Sequence, residues 1–504
     1  IIVADEFTLR MLGPDLDRGA AQLAEVNMEP VSYRASQAFY PQSDRILINE
    51  DGRWLDLLQG TKQADLKRFL GSEYGYPGRE LSDAEREDIL RAKGRHGEWI
   101  TYKGLREVLE TLPKLARPPI AKAIEETEAR WAQEVFTDVE RGSALLAERV
   151  FQRRDWVRRY DPIRMAVEHR TLLEEKIRSS DMVDGKPACV DLEAPDDFVL
   201  PVGGEITQQS RAAIIEQVSK HLRLLGVAEM RLIRDLKVCE YSFGFTRTSS
   251  SPTVRREKGG DRDMPVRLKL FDRIGKGADA KIPIYCLKQA NEAFYLRLDE
   301  AAVREWLETN HIPVNDACAS ARLGGLLIED YRPFGRFLDE YRGQGETTPR
   351  HAYPYVYTLL HTMAHQLIGV VSELSGLDLG SFGEHLFVPD LAVLVYRRGT
   401  TMDLGNLSSM WRNYSDPSYG NLALHRMVQP ESLRCGAETV CMMRGGACPD
   451  CVMIPENACL TRNELLSRSV LAGRGAPKWD MDRRDLVGFY SVARRLAHAR
   501  GTAP

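Results

Sequence analysis

Apolar residues recur at helical spacing through the first part of this chain and alternate at strand spacing through much of the second. Within residues 82–134, Leu105, Val108, Leu109 and Leu112 stand three and four apart until Pro113 ends the run. Just upstream, SDAERE offers Ser82 as an N-cap, with Glu85 at the capping-box position. Beyond Pro118-Pro119, the stretch from Ile120 to Arg159 has few breakers and predicts one or two long helices. Residues 1–80 read as mixed structure, with RILIN (45–49) as a short strand.

The period changes after residues 181–204, a segment rich in Asp, Pro and Gly that marks a strand-and-loop boundary. QQSRAAIIEQVSKHLRLLG predicts an amphipathic helix stopped at Gly226, placed as a C′ glycine. VAEMRLIRDLKVCEYSFGFTR predicts two strands. VRLKLFDR, IPIYCLK and AFYLRLD alternate like further strands of one antiparallel sheet. Residues 248–264 are expected to be a polar loop or a disordered insert. A long helix is expected over 353–374, a strand at AVLVYRR, and a basic amphipathic helix after Trp479.

The predicted class is α+β, with a helical N-terminal half and an antiparallel-sheet-containing C-terminal half that ends in a four-cysteine zinc-binding subdomain. The expected divisions are 1–80 (mixed α/β), 81–180 (helical, with a basic patch), 181–434 (α+β core) and 435–504 (zinc-binding domain with a terminal helix).

Composition narrows the class without choosing a function. The 504 residues are 43% hydrophobic and 28% charged, with a formal net charge of −4, values ordinary for globular proteins with ample core. No apolar run reaches the roughly 18 residues of a membrane span, and no secretory leader is visible, so a cytoplasmic protein is expected. The sequence opens on Ile1 in mid-pattern, and the expectation is that a further N-terminal part precedes it.

The nine cysteines change the picture more. Cys189, Cys239, Cys286 and Cys318 are scattered and read as small buried hydrophobes, while five crowd into residues 435–459. Cys441, Cys448, Cys451 and Cys459 give the spacing C-x6-C-x2-C-x7-C. A C-x2-C turn presents two thiolates from one knuckle, and Gly445-Gly446, Pro449, Pro455 and Asn457 permit the reversals around it. Four thiols without a neighbouring His predict a closed, structural Zn2+ site. Cys435 is either the first ligand in place of Cys441 or a spare thiol.

Two other groups carry candidate chemistry. His361 and His365 share one face of YVYTLLHTMAHQLIG at metal-pair spacing, but HTMAH lacks the glutamate of HExxH. Core histidines bonded to backbone are the plainer reading; a metal-dependent enzyme is the sharper one, and counting metal per chain separates them. The stretch RVFQRRDWVRRYDPIR sets Arg149, Arg153, Arg154, Arg158, Arg159 and Arg164 among Phe151, Trp156 and Tyr160. Guanidinium forks match phosphate oxygens and aromatics stack on unpaired bases, so this is a nucleic-acid-binding candidate. Its alternative is a helix paired with the Glu-rich helix before it. Arg255, Arg256 and Lys258 form a weaker basic loop. No GxxxxGK[ST] loop, acidic helicase quartet or hydrolase signature is present, so no catalytic residue is assigned.

GGACPDCVMIPENACLTRNELLSRSVLAG resembles the zinc-binding (MZB) domain that ends mitomycin-repair-type helicases, at Cys448, Cys451, Cys459, Asn463 and Leu466 to Arg468. With EMRLIRDLKVCEYSFGFTR, EAFYLRLDEAAVREWL and YTLLHTMAHQLI, the likeness extends over roughly residues 200–475, and ASQAFYP adds to it. Together these stretches are most similar to the DrmB family of the DISARM anti-phage defence system. That resemblance implies a non-catalytic, zinc-containing, DNA-binding accessory subunit that associates with a DrmA-like superfamily 2 helicase. The runner-up is the C-terminal portion of a longer MZB-type helicase involved in DNA repair.

Overall fold

The computed structural model describes residues 40–48, 83–113, 116–136, 161–194, 207–246, 269–275, 280–314, 322–331, 351–399, 406–429, 463–477 and 486–501, with shorter pieces between them. These combine helices with antiparallel sheet, as the class predicted from sequence requires. Contacts divide the chain into two units. One comprises Ile1–Leu55, Val157–Val314 and Asp330–Pro504; the other comprises Asp56–Trp156 and Asn315–Glu329.

The smaller unit is built on helices α1 (Asp83–Ala92), α2 (His96–Thr111) and α3 (Pro118–Glu134). Trp99, Tyr102 and Trp131 are buried together, with Tyr102 and Trp131 ring centroids 4.9 Å apart. The apolar bodies of the indoles fill this core while their N–H groups reach carboxylates at its edge. Trp99 donates to Glu87 at 2.8 Å and Trp131 to Glu98 at 2.9 Å.

In the larger unit, seven strands form one antiparallel sheet: β1 (Tyr40–Leu47), β2 (Cys189–Asp191), β3 (Val227–Thr246), β4 (Lys269–Leu270), β5 (Tyr285–Leu298), β6 (Phe382–Phe387) and β7 (Ala392–Arg397). The main order is β1-β3-β5-β7-β6, and β2 and β4 also pair with β3. The two strands expected from VAEMRLIRDLKVCEYSFGFTR are one continuous β3, whose register slips between Ile233 and Leu236. Asp235 there adopts φ 55°, so the polar break in the pattern is a bulge within the strand. Likewise IPIYCLK and AFYLRLD merge into β5.

Helices α4 (Pro162–Leu172), α5 (Gln208–Leu224), α6 (Glu300–Thr309), α7 (Ala352–Ser375), α8 (Leu407–Asn413), α9 (Leu422–Val428), α10 (Arg468–Ala472) and α11 (Phe489–Ala499) complete this unit. Asp161 caps α4 by accepting from Ile163 N–H, with Pro162 at the first helical position. At Gly226, after α5, φ is +69° and a Cβ would lie 2.6 Å from the Phe489 ring, so only glycine lets α11 pack there.

Strands β6 and β7 are buried throughout. They lie between α4, which packs on β6, and α7, which packs on both strands. Successive residues of β6 therefore reach different helices: Glu384 meets α7 and His385 meets α4. No helix among the described residues is long and apolar enough to cross a membrane.

Candidate metal centre

The described residues between Cys441 and Ser467 have little regular structure and are held by turns, so their side-chain positions depend on a few backbone contacts. Gly446 accepts φ +74°, and a Cβ there would stand 2.9 Å from Ser469 Oγ. Gly446 N–H donates to Cys441 O at 2.8 Å, and Arg468 N–H donates to Gly446 O at 2.7 Å. The Cys448 carbonyl faces the N–H groups of Cys451, Val452 and Met453, which closes the C-x2-C knuckle. Asn463 then locks the following loop: its Oδ1 accepts from Ile454 N–H at 3.1 Å and its Nδ2 donates to Ile454 O at 2.7 Å. That double bond gives a physical role to the Asn in the sequence motif.

Cys441, Cys448 and Cys451 converge, and their three sulfurs can hold a metal ion. The Cys448 and Cys451 sulfurs lie 3.4 Å apart and those of Cys441 and Cys451 4.0 Å apart. Two thiolates on one tetrahedral zinc, bonded at about 2.3 Å, stand roughly 3.8 Å apart, so this spacing fits. Burial pushes the Cys451 thiol up to about 11, with Cys448 beside it adding to the effect. A cation is what would draw these thiols into the thiolate form.

Cys459 stands elsewhere. The turn after Pro455, whose carbonyl accepts from Ala458 and Cys459 N–H, aims the sulfur at α7 and away from the knuckle. There Cys459, His361, His365 and Glu384 form a second group whose ligand atoms all lie within 4.8 Å of one another. All four are buried. Cys459 Sγ is 3.2 Å from His361 Nε2; Glu384 lies 3.2 Å from His361 Nε2 and 2.7 Å from His365 Nε2. Burial opposes charge on both Glu384 and His365, but each outweighs it for the other. The Glu384 carboxyl is held well below its usual range, and His365 is raised to about 9. The expected quartet is thus divided between two groups, and the histidine pair read most simply as core residues lines one of them.

Glu384 carried no sequence-level expectation. Its only signal is a Glu-His pair inside the otherwise apolar FGEHLFV. A second unforeseen network lies on the other side of β6. Arg164 Nε meets Glu168 at 3.0 Å, its NH1 meets Asp44 at 3.0 Å, and its NH2 donates to Arg45 O at 2.7 Å. His385 joins Glu168 at 2.8 Å. Arg164 is 1% exposed, so it is a core cation and not part of a phosphate-binding face. Arg45 extends the network by donating to Ala458 O at 2.7 Å, next to Cys459.

Several other predicted residues fall outside the described residues. Arg149, Arg153, Arg154, Arg158 and Arg159 do so entirely, as do Cys435, Cys318, Arg256 and Lys258. Arg255 ends a short strand, Thr253–Arg255.

The larger unit is therefore an antiparallel-sheet protein whose C-terminal turns bring together two groups of side chains able to hold metal. No protein-family model matches the chain. One segment is similar to the DISARM protein DrmB of Bacillus paralicheniformis, at 29% identity over 126 residues. The match covers 23% of this chain and 22% of that protein.

Proposed function

We propose that this chain is a DrmB-like accessory subunit in bacterial anti-phage defence, which binds DNA and works with a DrmA-like superfamily 2 helicase. The observation that carries this reading is the 126-residue similarity to DrmB. The cysteine knuckle and the motif positions Asn463 and Arg468 support it, since their hydrogen bonds organise the region in which the resemblance is most specific. In this reading Cys441, Cys448 and Cys451 hold Zn2+ as a structural ion. Zinc would contribute folding energy and fixed geometry, with no reaction step assigned to it. The site then serves as a rigid support for surfaces that meet DNA and helicase, in the cytoplasm.

Co-expression with a DrmA-like helicase tests the partnership. The two polypeptides should co-purify at fixed stoichiometry, and this chain alone should show no ATPase activity. A chain that purifies alone, with no effect on the helicase's ATPase or DNA affinity, would remove the reading.

The basic stretch makes a separate prediction. Replacing Arg153, Arg154, Arg158 or Arg159 by Ala should weaken binding to all DNA sequences about equally. For each duplex phosphate that an arginine no longer neutralises, the plot of log K against log salt should flatten by roughly 0.9. If these residues instead pair with the Glu-rich helix, melting temperature falls and the salt slope stays where it was.

A further inference from the structure

We infer that His361, His365, Glu384 and Cys459 form a second, mixed-ligand metal centre that takes a divalent transition ion, Zn2+ being the best match. The inference goes beyond the thiolate site, because it uses Cys459 in a separate centre and three residues outside the cysteine cluster.

The tautomers carry the argument. His361 Nδ1 lies 3.1 Å from Leu465 O, and His365 Nδ1 lies 2.6 Å from Val452 O. A carbonyl oxygen only accepts, so each Nδ1 is the protonated nitrogen. In a neutral ring that leaves the Nε2 lone pair, and both Nε2 atoms point toward Glu384 and Cys459. Metal-bound histidines are oriented in this way, with the outer N–H fixed by a carbonyl and the inner nitrogen on the ion.

Without an ion, His365 would carry the proton that Glu384 favours, and His361 Nε2 would face the same carboxylate and the Cys459 sulfur, in an interior where His361 is 0%, His365 2% and Glu384 0% exposed. One ligand atom from each of the four residues lies within 4.8 Å of the others, which leaves a common point that one ion could occupy.

The sulfur points the same way. Cys459 Sγ accepts from Asn463 N–H at 3.2 Å, and a bound cation would draw the thiol into its thiolate form. Two neutral imidazoles, one carboxylate and one thiolate around a divalent ion sum to zero charge, which a dry site requires. Tetrahedral bonds of about 2.0–2.1 Å to nitrogen and oxygen and 2.3 Å to sulfur place ligand atoms roughly 3.3–3.7 Å apart, close to the 3.2 Å from His361 Nε2 to Cys459 and to Glu384, while the 2.7 Å from His365 to Glu384 would open on binding. Four protein ligands and full burial make the centre closed. It would join α7, β6 and the loop after the knuckle.

Metal analysis of the full chain, purified without chelator, tests this directly. The wild type should carry two equivalents. His365→Ala should lose one and keep the thiolate ion; Cys451→Ser should lose the other and keep this one. A folded His365→Ala variant with unchanged metal content overturns the inference. Loss of metal only in His365→Ala would instead uphold this centre and remove zinc from the thiolate site. Should His365→Ala not fold, X-ray absorption at the metal edge of the wild type decides. A shell mixing sulfur with nitrogen and oxygen supports the centre, and an all-sulfur shell overturns it.

Discussion

Cys451→Ser is expected to lower zinc content and soluble yield together. The Cys451 sulfur faces both Cys448 and Cys441, so its removal takes away the central ligand of that group. Turns hold this region, and in small metal-folded peptides structural zinc supplies apparent binding free energies of about 10–16 kcal/mol. Losing one thiolate therefore removes much of the local stability, whereas loss of a catalytic group would leave the fold intact. Parallel assays of soluble fraction and metal content check this. A soluble, cooperatively folded variant with the wild-type complement of metal would rule out a structural role for the cluster.

Arg164→Ala should destabilise the larger unit by about 3–5 kcal/mol, the usual cost of removing one partner from a buried charge network. Asp44 and Glu168 would be left in the core, with His385 as a remaining partner of Glu168. Burial opposes the Arg164 charge, yet the two carboxylates hold its pKa above the ordinary value. For Glu168 burial likewise raises the pKa, and Arg164 and His385 bring it below 4.5. Its contribution is therefore complete above about pH 4.5 and is lost as pH falls through the depressed folded value. Denaturant melts of the variant measure the first effect. A change under about 1 kcal/mol would place Arg164 among surface ion pairs.

These residues also show where sequence reasoning stops. The 3.6-residue period located α5 and α7 within a residue or two, because each presents a long apolar stripe. The C-x2-C spacing located the knuckle because the turn itself brings the two sulfurs together. By contrast, β6 has no alternation, since both its faces are buried, so neither the strand nor Glu384 stood out. Arg164 looked like one of a row of surface cations, but α4 is buried on nearly every side. Of the partners that make this tolerable, Glu168 lies one turn on, but Asp44 lies 120 residues before it. The spacing and the reversal at Pro455 place Cys459 with the other cysteines in sequence, whereas in the fold it groups with His361, His365 and Glu384, which only tertiary structure brings to it.

Hydrogen exchange on the full chain, compared with metal bound and with metal stripped, tests most directly that ions hold residues 441–467 against α7. With metal bound, the Val452, Asn463, Ser467 and Arg468 amides should be protected, since each has a defined acceptor. Stripping should release all four while the β3 amides, bonded within the sheet, keep their protection. Unchanged protection at those four amides after complete metal removal would contradict the account.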